Sequence, residues 1–576
     1  MSTLAPAPSK TTTSEIPELE AVRAKFPAGS ILPQDGLDQP VWIVSRDVLF
    51  EVARELKENP QTQFDMMLDL CGVDFPDREE RFEAVYHLYS IQRKARLRLK
   101  VPLREDNVVL PSMVKLWKGL DWFEREAYDM FGFGFDGHPN LRRILCHEGF
   151  QGHPLRKDYD AQRRWILTED KIYTPKFDLP DTGDDMFERM TINIGPSHPA
   201  MHGTFRLTAV LDGETIIASD IEIGYLHRCF EKMSETHSWQ QVIPYTDRLN
   251  YCSAFINNVA YCKTVEKMLG IEEAVPPKAV WARMILSEFS RIMDHCVCNG
   301  TTLVDAGALT NFWYLFQPRE EIYGLLESVS GARLTVSACR IGGLIQELPP
   351  DFEARCRRLL EIIPPFVDDV EKLINKNRIW IDRAVGIAAI SGEEAVNWSW
   401  TGPCLRASGV GYDVRRAHPY DLYDTLDFEV PVLYGGDVYD RFRIRMLEIR
   451  ESLKMIRQLL DRGMPSGPYI VSDPHVALPS KEACYNEMEA MIYHFKLIMD
   501  GIQVPEGEIY SMVEGANGEL GFYTISDGTG KPYRNHCRPP CFPIFSTFPR
   551  LINGGSLSDS IVSLGGLNVI AGELER

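Results

Sequence analysis

Several features that would mark a familiar class of protein are missing from these 576 residues. No apolar run approaches the roughly 18 residues that a membrane-spanning helix needs. There is no basic excess: 82 Asp and Glu against 62 Lys and Arg leave a net charge of −20. That disfavours a stand-alone nucleic-acid binder and unaided adhesion to an anionic lipid surface. The 13 Cys include no C-x-x-C, and the close pairs Cys296-x-Cys298 and Cys537-x-x-x-Cys541 have neither zinc-ribbon nor ferredoxin spacing. Reduced, mostly buried thiols are therefore expected. No Walker A loop, dinucleotide fingerprint, G-x-S-x-G or H-E-x-x-H occurs, so the chain offers no cofactor-binding motif of its own. The N-terminal MSTLAPAPSKTTTSEIPELE has no basic segment ahead of an apolar core and reads as a short disordered tail rather than a secretory signal.

What is present is globular. The chain is 44% hydrophobic, 25% charged and 10% aromatic, and its length exceeds what one core usually fills, so at least two domains are expected. The first is a small α/β unit. Asp47–Asn59 reads as a helix, Arg81–Gln92 as a strand, and Ala95–Leu103 as a half-buried strand because apolar residues alternate with Arg96, Arg98 and Lys100. A helix around Ser112–Met130 follows, then loops rich in Gly, His and Pro. The Pro-, Asp- and Gly-rich stretch TPKFDLPDTGDDMFE has no sustained periodicity and reads as a joint. The second unit begins with a strand, Met190–Ile194, and a hairpin, Thr204–Leu211 with Glu214–Ile223, turning at Asp212-Gly213. Helical stripes then dominate: Leu249–Leu269 ending at Gly270, Val280–Val297, and Arg441–Asp461 ending at Gly463. The architecture expected is a multidomain α+β protein, with residues 1–166 as the small domain, 167–189 as the linker, and 190–576 as a mainly α-helical domain opening on a small β-sheet.

Three places could carry chemistry. The loop GPSHPAMHG holds His198 and His202, but its glycines and prolines exclude the helix that would put a four-residue His pair on one face as metal ligands. A structural, proton-donating or ligand role stays open for both. PYTDRLNY gathers Tyr245, Asp247, Arg248 and Tyr251; a capping Asp247 with an ion-paired Arg248 is the plain alternative there. In TTLVDAGALT, Asp305 is either a cap or a carboxylate that needs a partner, and beside a His it would favour the imidazolium.

These residues, with others, resemble a known family. EREAYDMFGFGFDGHPNLRRIL and GFQGHPLRKDYD are similar to the C subunit of respiratory complex I. NIGPSHPAMHGTFRL, IGYLHRCFEK, YTDRLNY, VDAGALT, RASGVGYDVR, YHFK and GELGFY follow the order of its D subunit. The chain thus resembles the fused C/D subunit of the bacterial enzyme. The D part also resembles the large subunit of [NiFe] hydrogenases, although the two C-x-x-C pairs that hold their metals are absent, which disfavours hydrogenase activity and metal binding.

The resemblance implies a peripheral-arm subunit of a proton-pumping NADH–quinone oxidoreductase, a translocase active only within the complex. It would lie at the cytoplasmic face of the bacterial inner membrane, held there by partners. Quinone, ubiquinone or menaquinone, is the implied substrate. FMN and the Fe–S clusters belong to partner subunits: a cluster-bearing neighbour of the quinone cavity, a membrane-arm subunit beneath it, and other peripheral-arm subunits. By motif position His202 and Tyr251 flank the quinone head group and Asp305 pairs with His202, with His198 and Arg248 of second rank. Departures from the pattern are Thr335 in place of His, Cys229 in place of Gly, and Asn250, Asn568 and Glu575 in place of Asp. A purely structural assembly subunit is the rival reading. It requires His202, Tyr251 and Asp305 to lie apart rather than converge between apolar walls.

Overall fold

The computed structural model describes residues 17–162, 175, 177 and 189–576. Residues 1–16 of the expected tail and nearly all of the expected linker lie outside them, whereas Pro17–Glu20, expected as the end of that tail, open a helix, Pro17–Arg23, because Leu19 packs into the core. In the N-terminal part, strands β1 (Ile31–Gln34), β2 (Val41–Val44), β3 (Met66–Asp74), β4 (Phe82–Ser90) and β5 (Ala95–Leu103) form one sheet in the order β1-β2-β5-β4-β3. All neighbours are antiparallel except β2 and β5. Helix α1 (Leu49–Glu58) forms where expected. Helix α2 (Leu120–Phe131) begins eight residues later than the expected Ser112, because Ser112 and Met113 instead bring their Oγ and backbone N to the Glu124 carboxylate at 2.7 Å each.

The second part opens on an antiparallel sheet of β6 (Met190–Ile194), β7 (Arg206–Asp212) and β8 (Thr215–Glu222). The two turn residues are Gly213 and Glu214, one place later than expected, and Gly213 takes the positive φ of 61°. Helices α3 (Ala254–Leu269), α4 (Pro277–Asp305), α5 (Leu309–Ser330), α6 (Phe352–Ile374) and α7 (Val438–Arg462) build the helical body. A third sheet, β9 (Gly507–Glu514), β10 (Glu519–Ser526) and β11 (Arg534–Arg538), follows, then helix α8 (Leu557–Leu567). One hydrophobic core belongs to the helical body. Another runs from the first sheet through Met201, Phe205 and β7 to the C-terminal residues Val569–Ala571 and Leu574, so the two parts share a core.

That sharing corrects the expectation for Ala95–Leu103. The strand is buried on both faces except at Ala95 and Pro102. Its basic side chains meet carboxylates from the third sheet. Arg96 makes two hydrogen bonds of 3.0 Å to Glu519, Arg98 reaches Asp38 at 2.6 Å and Glu508 at 3.2 Å, and Lys100 reaches Glu508 at 2.6 Å. Burial pushes the Glu519 carboxyl up, but Arg96 first, with Arg538 and the Tyr412 hydroxyl, more than offsets this and holds it at about 2.

A second ionic cluster closes the seam. His536 lies between Asp69 (2.8 Å) and Glu231 (2.7 Å), while Arg534 pairs with Glu231 and the C-terminal Arg576 with Glu126. Ligand atoms of Glu126, Glu231 and His536 lie within 4.8 Å of one another, close enough for a cation, yet the two guanidiniums already supply positive charge. Burial opposes the charged imidazole, but Asp69 and Glu231 raise His536 to about 9. A folded pKa above the unfolded value of about 6.5 means stability present below pH 6.5 and lost as pH rises through about 9, on the order of 3 kcal/mol in all. The urea midpoint is expected to fall across that window, and His536→Gln to flatten this part of the slope. An unchanged slope in the variant would remove His536 from the linkage.

Candidate functional site

His202 follows a 3₁₀ turn, Pro199–Met201, and sits in the left-handed region at φ 55° with its N–H bonded to the Pro199 carbonyl. Such a backbone is uncommon for a residue with a Cβ and is found where the surroundings fix it. Its Nε2 lies 2.6 Å from Oδ2 of Asp305, the last residue of α4. The side chains are 18% and 13% exposed, so the pair is partly desolvated yet open to a ligand. Asp305 is thus the carboxylate with a partner, not a cap.

Tyr251 starts a 3₁₀ turn, Tyr251–Ser253, ahead of α3, which therefore begins at Ala254 rather than at the expected Leu249. Burial pushes its phenol up to about 12, so it stays a protonated donor at neutral pH. The turn is held from below. Asn250 accepts from the Cys252 N–H through Oδ1 (3.1 Å) and donates through Nδ2 to Asp294 of α4 (2.8 Å). Asn568 donates to the other Asp294 oxygen at 2.5 Å. The two Asn that depart from the resembled pattern therefore converge on one buried carboxylate, each supplying an amide hydrogen where a second acid would repel it. Asp294 was not visible as a site residue from its own setting, RIMDHCV; the paired departures at 250 and 568 are the signal that leads to it.

The C-terminal strip from Gly565 to Gly572 draws these segments together. A Cβ at Gly565 would fall 2.9 Å from Asp305 Oδ2, and one at Gly572 would fall 2.3 Å from the Arg248 carbonyl oxygen and 3.4 Å from the Tyr251 ring. Ala571 packs against Gly203, the neighbour of His202. Only glycine permits the first two approaches. Met201, Phe205, Val569, Ile570 and Ala571 belong to one hydrophobic core, and Tyr251 packs against it.

His198 and Arg248 are placed differently. His198 is exposed, and its Nδ1 accepts from the Ala200 N–H at 3.2 Å, capping the 3₁₀ turn. His198 and His202 therefore do not act as a pair. Arg248 donates to the Pro244 carbonyl at 2.6 Å and lines a pocket of about 520 Å³ with Arg228, His237 and Tyr245. Asp247 caps no helix N-terminus; its buried carboxylate accepts from the backbone N–H and hydroxyl of Ser337 and stands 3.6 Å from Arg248. Ser337 follows the GARLT loop, so Thr335 and Arg248 belong to neighbouring loops.

Comparison with known proteins gives a consistent result. Residues 42–164 match the family described as respiratory-chain NADH dehydrogenase, 30 Kd subunit, and residues 305–576 that described as its 49 Kd subunit. The C/D subunit of NADH-quinone oxidoreductase from Bdellovibrio bacteriovorus is 48% identical over 515 residues, covering 89% of this chain and 91% of that protein. The chain belongs to the C/D subunit family of NADH-quinone oxidoreductase. The C/D subunit from Acidiphilium cryptum is 37% identical over 576 residues, 97% of each chain. The separate D subunit from Leptospira biflexa is 46% identical over 386 residues, 67% of this chain and 94% of its own length. Among the described residues of this C/D subunit, no helix is long and apolar enough to cross a membrane.

Proposed function

We propose that His202, Asp305 and Tyr251 form the place where this subunit receives the head group of a quinone and supplies hydrogen bonds and protons as it becomes quinol. The observation that carries the reading is the His202–Asp305 pair, with one C-terminal strip lying against Asp305 at Gly565 and against Tyr251 at Gly572. Reduction takes two electrons and two protons, and the carbonyl oxygens become more basic as electrons arrive. The Tyr251 hydroxyl would be the donor at one side. With Nε2 of His202 held by Asp305, the Nδ1 edge of the ring is the one that can serve a ligand. Electrons would come from an Fe–S cluster on a neighbouring subunit, and no cofactor would be ligated by this chain. Arg248, with Arg228 and His237, would face that neighbour, and His198 would shape the loop.

In this reading residues 1–166 and 190–576 are two former subunits joined at 167–189, the second built like a hydrogenase large subunit without its metals. The assembled translocase couples quinol formation to proton transfer at the cytoplasmic face of the bacterial inner membrane, with membrane-arm subunits as the attachment. The test is the quinone-reductase rate of the assembled enzyme carrying Tyr251→Phe. Loss of one neutral hydrogen bond predicts a fall of about tenfold. Full retained activity would take Tyr251 out of the donor role.

A further inference from the structure

We infer that Asp294 is a positioning residue for Tyr251, so that the single helix α4 carries the anchor of both hydrogen-bond donors, Asp294 for the phenol and Asp305 for the imidazole. The role rests on the quinone reading above and explains how the two donors keep their separation. Asp294 is fully buried in α4. Its two oxygens accept from two segments far apart in sequence: Oδ2 from Asn250 Nδ2 at 2.8 Å, and Oδ1 from Asn568 Nδ2 at 2.5 Å. Neither amide is free to turn round. The Cys252 N–H only donates, so it fixes Asn250 Oδ1 toward the turn and Nδ2 toward Asp294. Asn568 Nδ2 also donates to Asn517 Oδ1 at 2.5 Å, and an oxygen in its place would face the Asp294 carboxylate.

Asn250 directly precedes Tyr251, and its carbonyl accepts from Asn257 Nδ2 of α3 at 3.0 Å, so the residue that leads into the phenol is held by side chain and backbone together. Asn568 ends α8 in the left-handed backbone, φ 57°, and belongs to the strip that touches Tyr251 at Gly572. Asp294 therefore ties the turn that presents Tyr251 to the strip that bounds its ring. Asp305 lies about three turns further along α4, on the same face and about 16.5 Å on. The strip lies along the helix between them: the Cys298 thiol reaches the Gly565 carbonyl at 3.5 Å, and Gly565 abuts Thr302 and Asp305. A rigid helix, and not a loop, then sets the distance between the two donors, as recognition of a head group of fixed size requires.

Position 294 must offer two acceptor oxygens. Asp294→Asn leaves one, so one of the two amides points an N–H at another N–H. The deficit is repaired from the other side. With Asn250→Asp added, residue 250 still accepts from the Cys252 N–H and now accepts from the new amide at 294, whose oxygen serves Asn568. The exchange moves one charge by the length of a hydrogen bond and restores every contact. Asn250→Asp alone sets two carboxylates against each other at that contact and breaks it. A residue that matters only as buried bulk shows no such reciprocity, because Asp and Asn have nearly the same size.

The test compares the assembled complex carrying Asp294→Asn, Asn250→Asp, or both. It reads hydrogen exchange of the segment 249–255 by mass spectrometry beside the quinone-reductase rate. Each single variant should exchange about tenfold faster in that segment, a readout of the clamp that does not depend on what Tyr251 does. The two together should exchange within about twofold of wild type. Asp294→Asn should lower kcat about tenfold with KM for a short-chain quinone little changed, and should lower it no further when added to Tyr251→Phe, because it acts through the phenol. If Asp294→Asn does not assemble, recovery of assembly on adding Asn250→Asp supports the clamp, and failure of both overturns it. Wild-type exchange in Asp294→Asn, or a double variant worse than either single one, overturns the positioning role. Full activity of Tyr251→Phe, with the exchange pattern as expected, would uphold the clamp and overturn the quinone reading instead.

Discussion

Asp305→Ala is expected to lower quinone reduction by the assembled enzyme about a hundredfold while leaving the mutated chain in the complex. The carboxylate at 2.6 Å is the partner through which the rest of the fold orients the His202 ring. Without it the imidazole can rotate about χ2, and its proton no longer has a fixed position relative to the bound carbonyl. The effect exceeds that of Tyr251→Phe because a charge-assisted contact is lost together with the ring's orientation. Asp305→Asn keeps an acceptor but not the charge and should fall between wild type and Asp305→Ala. The change belongs mainly in kcat, since the head group would still be bounded by the strip and the apolar walls. A rate within twofold of wild type for Asp305→Ala would mean that the pair is an ornament of the loop.

The second large effect is on stability. Arg96→Ala should cost about 3–5 kcal/mol, the usual consequence of removing one member of a buried ion pair. Glu519 would be left fully buried without the guanidinium that does most to hold its carboxyl down. Tyr412 and Tyr510 also donate to Glu519, and the same carboxylate lies in the third sheet while Arg96 lies in the first, 423 residues away in sequence. The loss should therefore appear as a lower urea midpoint for the whole chain rather than as melting of the first sheet alone. It should also weaken association of the two parts when they are expressed as separate pieces. Pieces that bind as tightly with Arg96→Ala as without it would show that the seam depends on its apolar core and not on these charges.

The Arg96 seam also marks where the sequence stops being informative. Alternation in Ala95–Leu103 correctly gives a strand, but nothing local distinguishes basic residues that face water from basic residues that face Glu508 and Glu519 several hundred positions later. The hairpin around Gly213 and the helices ending at Gly270 and Gly463 were legible because period and terminator are both local. The strands at 507–538 are buried on both faces for most of their length, so no alternation exposes them. In the candidate site, motif resemblance nominated His202, Tyr251 and Asp305, whereas their geometry depends on close glycine contacts in a C-terminal strip that no spacing rule connects to them. The motifs and the resemblance gave Arg248 and His198 second rank; in the fold Arg248 bonds to the Pro244 carbonyl and His198 caps the 3₁₀ turn.

The acidic side chains of the sequence also look different in the folded chain. Many of the acids are inside: Glu126, Glu231, Glu288, Glu448, Glu514 and Glu519 are buried against arginines. These pairs largely cancel within the fold, so the net charge of −20 resides mostly in other residues.

The most direct measurement is photo-crosslinking of the assembled complex with a quinone that carries a photoreactive group on its head, followed by peptide mapping. The account predicts labels in the segments 195–205 and 249–253, suppressed by excess unmodified quinone and reduced in Asp305→Ala. Labels confined to other segments of the chain, or to partner subunits alone, would contradict it.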